Sequence, residues 1–227
     1  EKLSTKKLLT MSWLEGKSIL EFRKAKKEIR NKIAKNMFYT WYLPFYKYGI
    51  IHGDPHLGNY TVQNDHSINL FDFGCMRVFK GKFIQGVIDL YYALQKNNIA
   101  QAVHAYEQWG FDNITKKKLE VLNKWANFLY SPLLEDKVQK IQKSDSGIFG
   151  AKIAAEVHQE LKKLGGVKPP KEFVFMDRAA VGLGSVFMHL KAEVNWYRIF
   201  HDLIEHFDVK KLNDKQQSTL KLVNLKL

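Results

Sequence analysis

The 227-residue chain is short of several things, and each shortage narrows what it can be. It has a single cysteine, Cys75, so no intrachain disulfide can form, which suits a reducing compartment. No uncharged apolar run reaches the ~18 residues that a membrane span needs, and no secretory leader is visible. Internal repeats, low-complexity linkers and nucleic-acid-binding motifs are missing too. Acidic residues are outnumbered: 36 Lys and Arg stand against 23 Asp and Glu, a formal net charge of +13. That surplus excludes little by itself, because scattered lysines form a solvated surface in many proteins. It favours anionic partners, among which nucleotide phosphates and lipid headgroups rank above nucleic acid. The hydrophobic fraction of 45% is that of a globular chain able to bury one core.

What is present concentrates between His52 and Gly74. The stretch runs His52-Gly53-Asp54-Pro55-His56-Leu57-Gly58-Asn59, then two β-prone segments, then Asp72-Phe73-Gly74. The spacing from Asp54 to Asn59 is that of a kinase catalytic loop, and Asp72 opens an Asp-Phe-Gly. Phosphoryl transfer uses one carboxylate to orient or deprotonate the attacking hydroxyl. It also uses an amide oxygen and a second carboxylate to hold magnesium against the phosphates. Tyr60–Gln63 and Ile68–Phe71, joined by the turn formers Asn64 to Ser67, predict a hairpin that returns Asp72 to Asn59. Asp54 and His52 are therefore the candidate catalytic residues, with His52 suited to bracing the loop, and Asn59 and Asp72 the candidate metal ligands. His56 stands next to Asp54 and is a candidate nucleotide or phosphate contact. A rival pattern exists in the alternation His52, Asp54, His56, which on a regular strand resembles a two-histidine, one-carboxylate iron site. Gly53 and Pro55 spoil that strand, and the iron reading leaves Asn59 and Asp72 unused.

These motifs resemble those of the ABC1/ADCK/UbiB atypical kinases, protein-kinase-like proteins linked to ubiquinone biosynthesis. Leu9 to Gly16 is similar to the family's hinge, and Pro169 to Arg178 to a late helical segment. Leu57 replaces the family's usual proline and Ser12 its usual acidic residue; neither change removes a catalytic group. The resemblance implies ATP and Mg2+ as cofactors, with Met11, Ser12 and Leu14 against the nucleotide base and Met11 in the gatekeeper position. It further implies that the phosphate-binding lysine and covering loop belong to an upstream lobe, so that the chain alone is inactive. The expected fold is α+β and mainly helical, a kinase-like C-lobe with a small catalytic hairpin and no N-lobe. Residues 1–16 are expected to end the N-lobe and form the hinge, 17–210 to form the lobe, and 211–227 to be a polar tail. Other readings are a small-molecule phosphotransferase of the aminoglycoside or choline kinase type and a non-catalytic nucleotide- or lipid-binding scaffold. The partners expected are nucleotide, lipid or quinone precursors and an anionic membrane surface, on the cytoplasmic inner face of a membrane.

Elsewhere the periodicity is helical. Ser18-Ile19-Leu20-Glu21 forms a capping box. Ile29, Ile33, Met37 and Trp41 predict a helix that Pro44 kinks or ends and Gly49 terminates. Apolar stripes follow at Phe83–Leu94, Ile99–Trp109 and, capped by Thr115, Leu119–Leu129. Gln142–Gly147 is a polar loop. Ile153–Leu164, Phe173–Leu190 and Glu193–Phe207 complete the helices, and no long activation segment follows Gly74.

Overall fold

The computed structural model describes residues 3–142, 148–166 and 169–222. The expected loop from residue 143 to Gly147 and the last five residues of the expected tail lie outside these.

Helix α1 (Lys27–Tyr48) is the axis of the fold. Ile33, Met37, Trp41 and Phe45 recur every fourth residue and are all buried, while Lys32, Lys35 and Lys47 face water. The helix passes through Pro44 without ending. The buried Phe45 and Tyr46 hold the last turn in the core, which outweighs the hydrogen bond that proline removes. Gly49, at φ 70°, closes the helix, its N–H donating to Phe45 O at 3.0 Å.

Three short antiparallel pairs decorate this helical body. β1 (Ile50–His52) pairs with β4 (Met76–Val78), Ile51 opposite Arg77. β2 (Tyr60–Val62) pairs with β3 (Ile68–Leu70), Thr61 opposite Asn69, and is the expected hairpin, one residue shorter on each strand. The β1–β4 pairing was not expected; it is what brackets the hairpin between two ends of one ladder. β5 (Gln139–Lys140) pairs with β6 (Glu193–Val194), so the segment expected to be helical from Glu193 starts as a strand. Helix α7 (Trp196–Ile204) begins only after Asn195, whose side chain accepts from Arg198 N at 3.0 Å.

Helices α2 (Gly81–Lys96), α3 (Ile99–Trp109), α4 (Lys116–Tyr130), α5 (Ile148–Lys163) and α6 (Lys171–His189) match the predicted stripes. Thr115 caps α4 as expected, accepting from Lys118 N at 3.3 Å. The capping box at Ser18 forms, but on a 3-10 turn, Ile19–Lys24. Aromatic contacts knit the helices to α1. Phe38 meets Phe187 of α6 at 6.3 Å between ring centroids, and Tyr46 meets Phe200 of α7 at 5.9 Å.

Past Asp208 the expected polar, fraying tail is, through Leu222, helix α8 (Val209–Leu222). Its sparse polarity pattern hid two anchors, Leu212 and Gln216, both buried. The Gln216 amide donates to Tyr48 O at 3.0 Å and Phe79 O at 2.8 Å, satisfying two carbonyls at the end of α1 and the exit of β4.

Candidate functional site

The site is assembled where β1 runs out. His52 is buried, its backbone carbonyl accepting from Trp41 Nε1 at 2.9 Å. Its ring bridges the two halves of the predicted motif. Nδ1 accepts the Asp54 N–H at 3.2 Å, while Nε2 donates to Asp72 O at 2.9 Å and to Phe71 O at 3.2 Å. Carbonyls only accept, so Nε2 carries the proton, and the acceptor Nδ1 does not: the ring is the neutral Nε2–H tautomer. With both nitrogens bonded to backbone, His52 acts as a brace and leaves acid–base work to a carboxylate.

Beyond Asp54 the chain makes a 3-10 turn, Leu57–Asn59. Asn59 Nδ2 donates to Asp54 Oδ2 at 3.0 Å and to Asp54 O at 3.1 Å, so the five-residue spacing closes into one ring of side chain and backbone. The hairpin then brings Phe71 back, its N–H donating to Asn59 O at 2.7 Å. Asp72 stands at φ 52°, a conformation that side-chain-bearing residues seldom adopt and that Asp tolerates better than most. Its Oδ1 accepts from Gly74 N at 3.2 Å, which opens the short turn Phe73–Cys75. Cys75 is half-buried, and its carbonyl accepts from Gly53 N at 3.0 Å.

His52, Asp54, Asn59 and Asp72 are thus tied into one network. His56 sits beside it, exposed, its Nδ1 accepting from Gly58 N at 3.1 Å. With the nitrogens of His52 bonded to backbone and His56 turned to its own loop, the iron arrangement does not form. Among the described residues no three His, Cys, Asp or Glu side chains gather as a metal cluster. What remains is an oxygen donor set. Asn59 Oδ1 and Asp72 Oδ2 have no hydrogen-bond partner among the described residues, and a hard cation of the magnesium kind fits such donors. Met11, Ser12 and Leu14 are exposed and outside any strand, Met11 at 66% exposure. The segment docks on the hairpin just after them: Glu15 O accepts from Asn69 Nδ2 at 2.8 Å, and Lys17 bridges to Val62.

One functional neighbour escaped the sequence reading. Phe175, Arg178 and Gly182 lie at i, i+3 and i+7 of α6, on one face, and that face covers the catalytic loop. Gly182 leaves room for the ring of Pro55; a Cβ there would come within 2.2 Å of it. The guanidinium of Arg77 lies 4.4 Å over the Phe175 ring. Arg178 Nη2 donates to Asp54 Oδ1 at 3.0 Å. Both Asp54 oxygens are therefore engaged, one by Asn59 and one by Arg178. The signal was present as a lone cation on the small-residue face of an apolar helix.

The neighbouring residue points the other way. Asp177 faces the helical core, where burial pushes its carboxyl up from 3.8 to about 6, opposed in part by the Trp125 indole, which donates to Oδ1 at 2.5 Å.

A helical lobe with a catalytic loop, a hairpin and an Asp-Phe-Gly turn at one edge is the kinase-like C-lobe class. Comparison with known proteins agrees. Residues 1–106 match the family model of the ABC1 atypical kinase-like domain, and in this segment the chain is similar to that family. It is similar to the chloroplastic protein Activity of BC1 complex kinase 7 of Arabidopsis thaliana, 31% identical over 97 residues, which are 42% of this chain and 14% of that protein. It is also similar to the probable serine/threonine-protein kinase abkA of Dictyostelium discoideum, 31% identical over 85 residues, 36% of this chain and 15% of that one. The chain thus spans about one-seventh of the length of these curated relatives. Among solved structures it resembles Rv3197 of Mycobacterium tuberculosis, determined with erythromycin, at a TM-score of 0.60 and 17% identity, covering 85% of this chain and 48% of that one. This last likeness concerns the fold, and it extends well past residue 106.

The raised Asp177 carboxyl makes a prediction. A folded-state pKa above the unfolded one means that ionisation opposes folding. The cost is nil below pH ~4, grows between ~4 and ~6, and levels off above at about 3 kcal/mol. In urea unfolding, Asp177→Asn should gain on the parent chain by roughly that amount between pH 4 and pH 8. A difference that stays flat across this range would show that Asp177 ionises freely in the fold.

Proposed function

We propose that this chain is the C-terminal lobe of an atypical kinase or ATPase working on Mg-ATP, with Asp54 orienting the acceptor hydroxyl or water. The observation that carries this reading is the closed Asp54–Asn59 ring, with the Asp72 peptide held beside it by His52. Asn59 and Asp72 supply the oxygens for magnesium, which when bound neutralises phosphate charge. By the family resemblance, Met11, Ser12 and Leu14 would meet the nucleotide base, and His56 would contact its phosphates. Arg178 fixes the Asp54 carboxylate from the side opposite Asn59. As an exposed pair its contribution to stability is small, so its role is to orient. By the same resemblance the phosphate-binding lysine and covering loop belong to an upper lobe, so the chain alone should hold nucleotide weakly.

The reading is tested by ATP turnover with the chain joined to the upper lobe of an ABC1-type relative. Asp72→Asn should lower ATP turnover at least ~10²-fold, the order seen when one preorganised electrostatic contact is lost. Arg178→Ala should lower it ~10-fold with partial rescue by Arg178→Lys, as expected when a positioning contact is lost. Unchanged turnover in Asp72→Asn would overturn the assignment.

Support of ubiquinone biosynthesis rests on the family resemblance, and with it a site of action at a membrane surface. No helix among the described residues is long and apolar enough to cross a membrane, so contact would be peripheral. A formal charge of +13 would then bind anionic leaflets, each nearby lysine or arginine adding ~1 kcal/mol within a Debye length. Liposome co-sedimentation should show binding to anionic vesicles that high salt reverses; equal and negligible pelleting with anionic and neutral vesicles would contradict the membrane reading.

A further inference from the structure

Behind the catalytic loop, on the inward face of α6, the core contains a cavity of about 80 Å3. Close-packed cores hold few voids bigger than a water, so one of this size calls for an explanation. Its walls include the rings of Tyr42, Tyr46, Trp109, Tyr130 and Phe173, and its one charged group is Asp177. A second, outer cavity of about 320 Å3 shares Phe173 and Asp177 with the first and runs out between α4, α5 and α6 past Trp125 and Leu161. His158 and Lys162 stand exposed at its solvent rim.

Asp177 is anomalous in this setting. Its Oδ1 takes the Trp125 indole N–H, and Oδ2 has no hydrogen-bond partner among the described residues. The proposed phosphoryl-transfer chemistry does not use it. Lysine and arginine together make up 36 residues of this chain, yet none pairs with this carboxylate among the described residues. A partly buried anion that no cation among the described residues pairs with, among aromatic rings, has the two recognition elements of an alkylammonium site: a carboxylate for charge and rings for cation–π attraction.

We propose that the paired cavities at Asp177 bind a small methylated-ammonium head group, seated in the inner cavity among the aromatic rings, with the rest of the ligand leaving through the outer one. Desolvation of the carboxylate is then offset by the bound cation and not by a residue of the chain. The inner cavity suits a compact, weakly hydrated cation: its walls offer ring faces, and Asp177 is its single charge. A primary ammonium, with three donors to satisfy, would be left short of acceptors there. The site does not depend on the nucleotide reading, but Asp177 and Arg178 are consecutive, so one helix serves both it and the catalytic loop.

The test uses the 227-residue chain at pH 8, with choline as the probe and 3,3-dimethylbutan-1-ol as its uncharged carbon isostere. The reporter is the Trp125 indole N–H resonance, assigned by its absence from Trp125→Phe. The chain's net charge of +13 repels a cation that has no specific seat, so non-specific electrostatics work against the expected result. Choline should shift the Trp125 resonance saturably and bind about tenfold more tightly than the neutral isostere, a difference of ~1.4 kcal/mol. Asp177→Asn, which keeps the shape and should be at least as stable, should cut that preference to within about twofold. Ala180→Leu, which fills the inner cavity without touching charge, should weaken both probes. The inference is overturned if choline leaves the Trp125 resonance unmoved, if the isostere binds as tightly as choline, or if the preference for the cation survives in Asp177→Asn.

Discussion

The candidate site depends on one buried imidazole. His52 joins the loop carrying Asp54 to the turn carrying Asp72 by taking a backbone N–H on one nitrogen and giving its proton to backbone carbonyls on the other. These two segments are eighteen residues apart, and the His52 ring adds a side-chain tie to the backbone bonds from Gly53 N to Cys75 O and from Phe71 N to Asn59 O. Burial makes the brace effective: in low dielectric each hydrogen bond is stronger, and leaving one unmade is costly. Trp41 completes the support by donating to His52 O and packing on its ring, 5.6 Å between centroids. The central helix of the fold thus reaches the catalytic loop through Trp41.

Helix α6 bears on the same network from outside. Its Phe175, Arg178 and Gly182 face holds Pro55 and the Asp54 carboxylate, while Asp177 turns to the core. Asp54 is consequently held between a neutral donor and a cationic one. An aspartate that must orient a hydroxyl gains from this, because its two oxygens are fixed before any acceptor arrives. The strained backbone of Asp72 fits the same logic of a geometry imposed by its surroundings.

Much of this was legible in the sequence, for identifiable reasons. The hairpin and the five-residue Asp54–Asn59 spacing depend on contacts short in sequence, where turn formers and β-prone runs signal directly. Helices α2, α3 and α4 carry strong apolar stripes and, at Thr115, a side-chain cap. What the sequence concealed was decided at long range. Pro44 was expected to kink or end α1, but tertiary burial of Phe45 and Tyr46 carries the helix past it. Helix α8 buries Leu212 and Gln216 within an otherwise strongly polar segment, which reads as a solvated tail. Glu193 and Val194 are drawn from helix to strand by pairing with Lys140 and Gln139, more than fifty residues earlier. Arg178 lies 124 residues from Asp54, and no local pattern ties the two.

The convergence of Asn59 and Asp72 on one cation is the claim on which the functional reading stands, and paramagnetic NMR addresses it directly. The labelled chain is titrated with Mn2+ in the presence of excess non-hydrolysable ATP analogue; weak, fast-exchanging binding suits the method. The account predicts broadening confined at low Mn2+ to the Asn59 side-chain amide and the backbone of residues 54–59 and 72–74, and abolished in Asp72→Asn. Broadening spread over the acidic surface, or unchanged by Asp72→Asn, would contradict it.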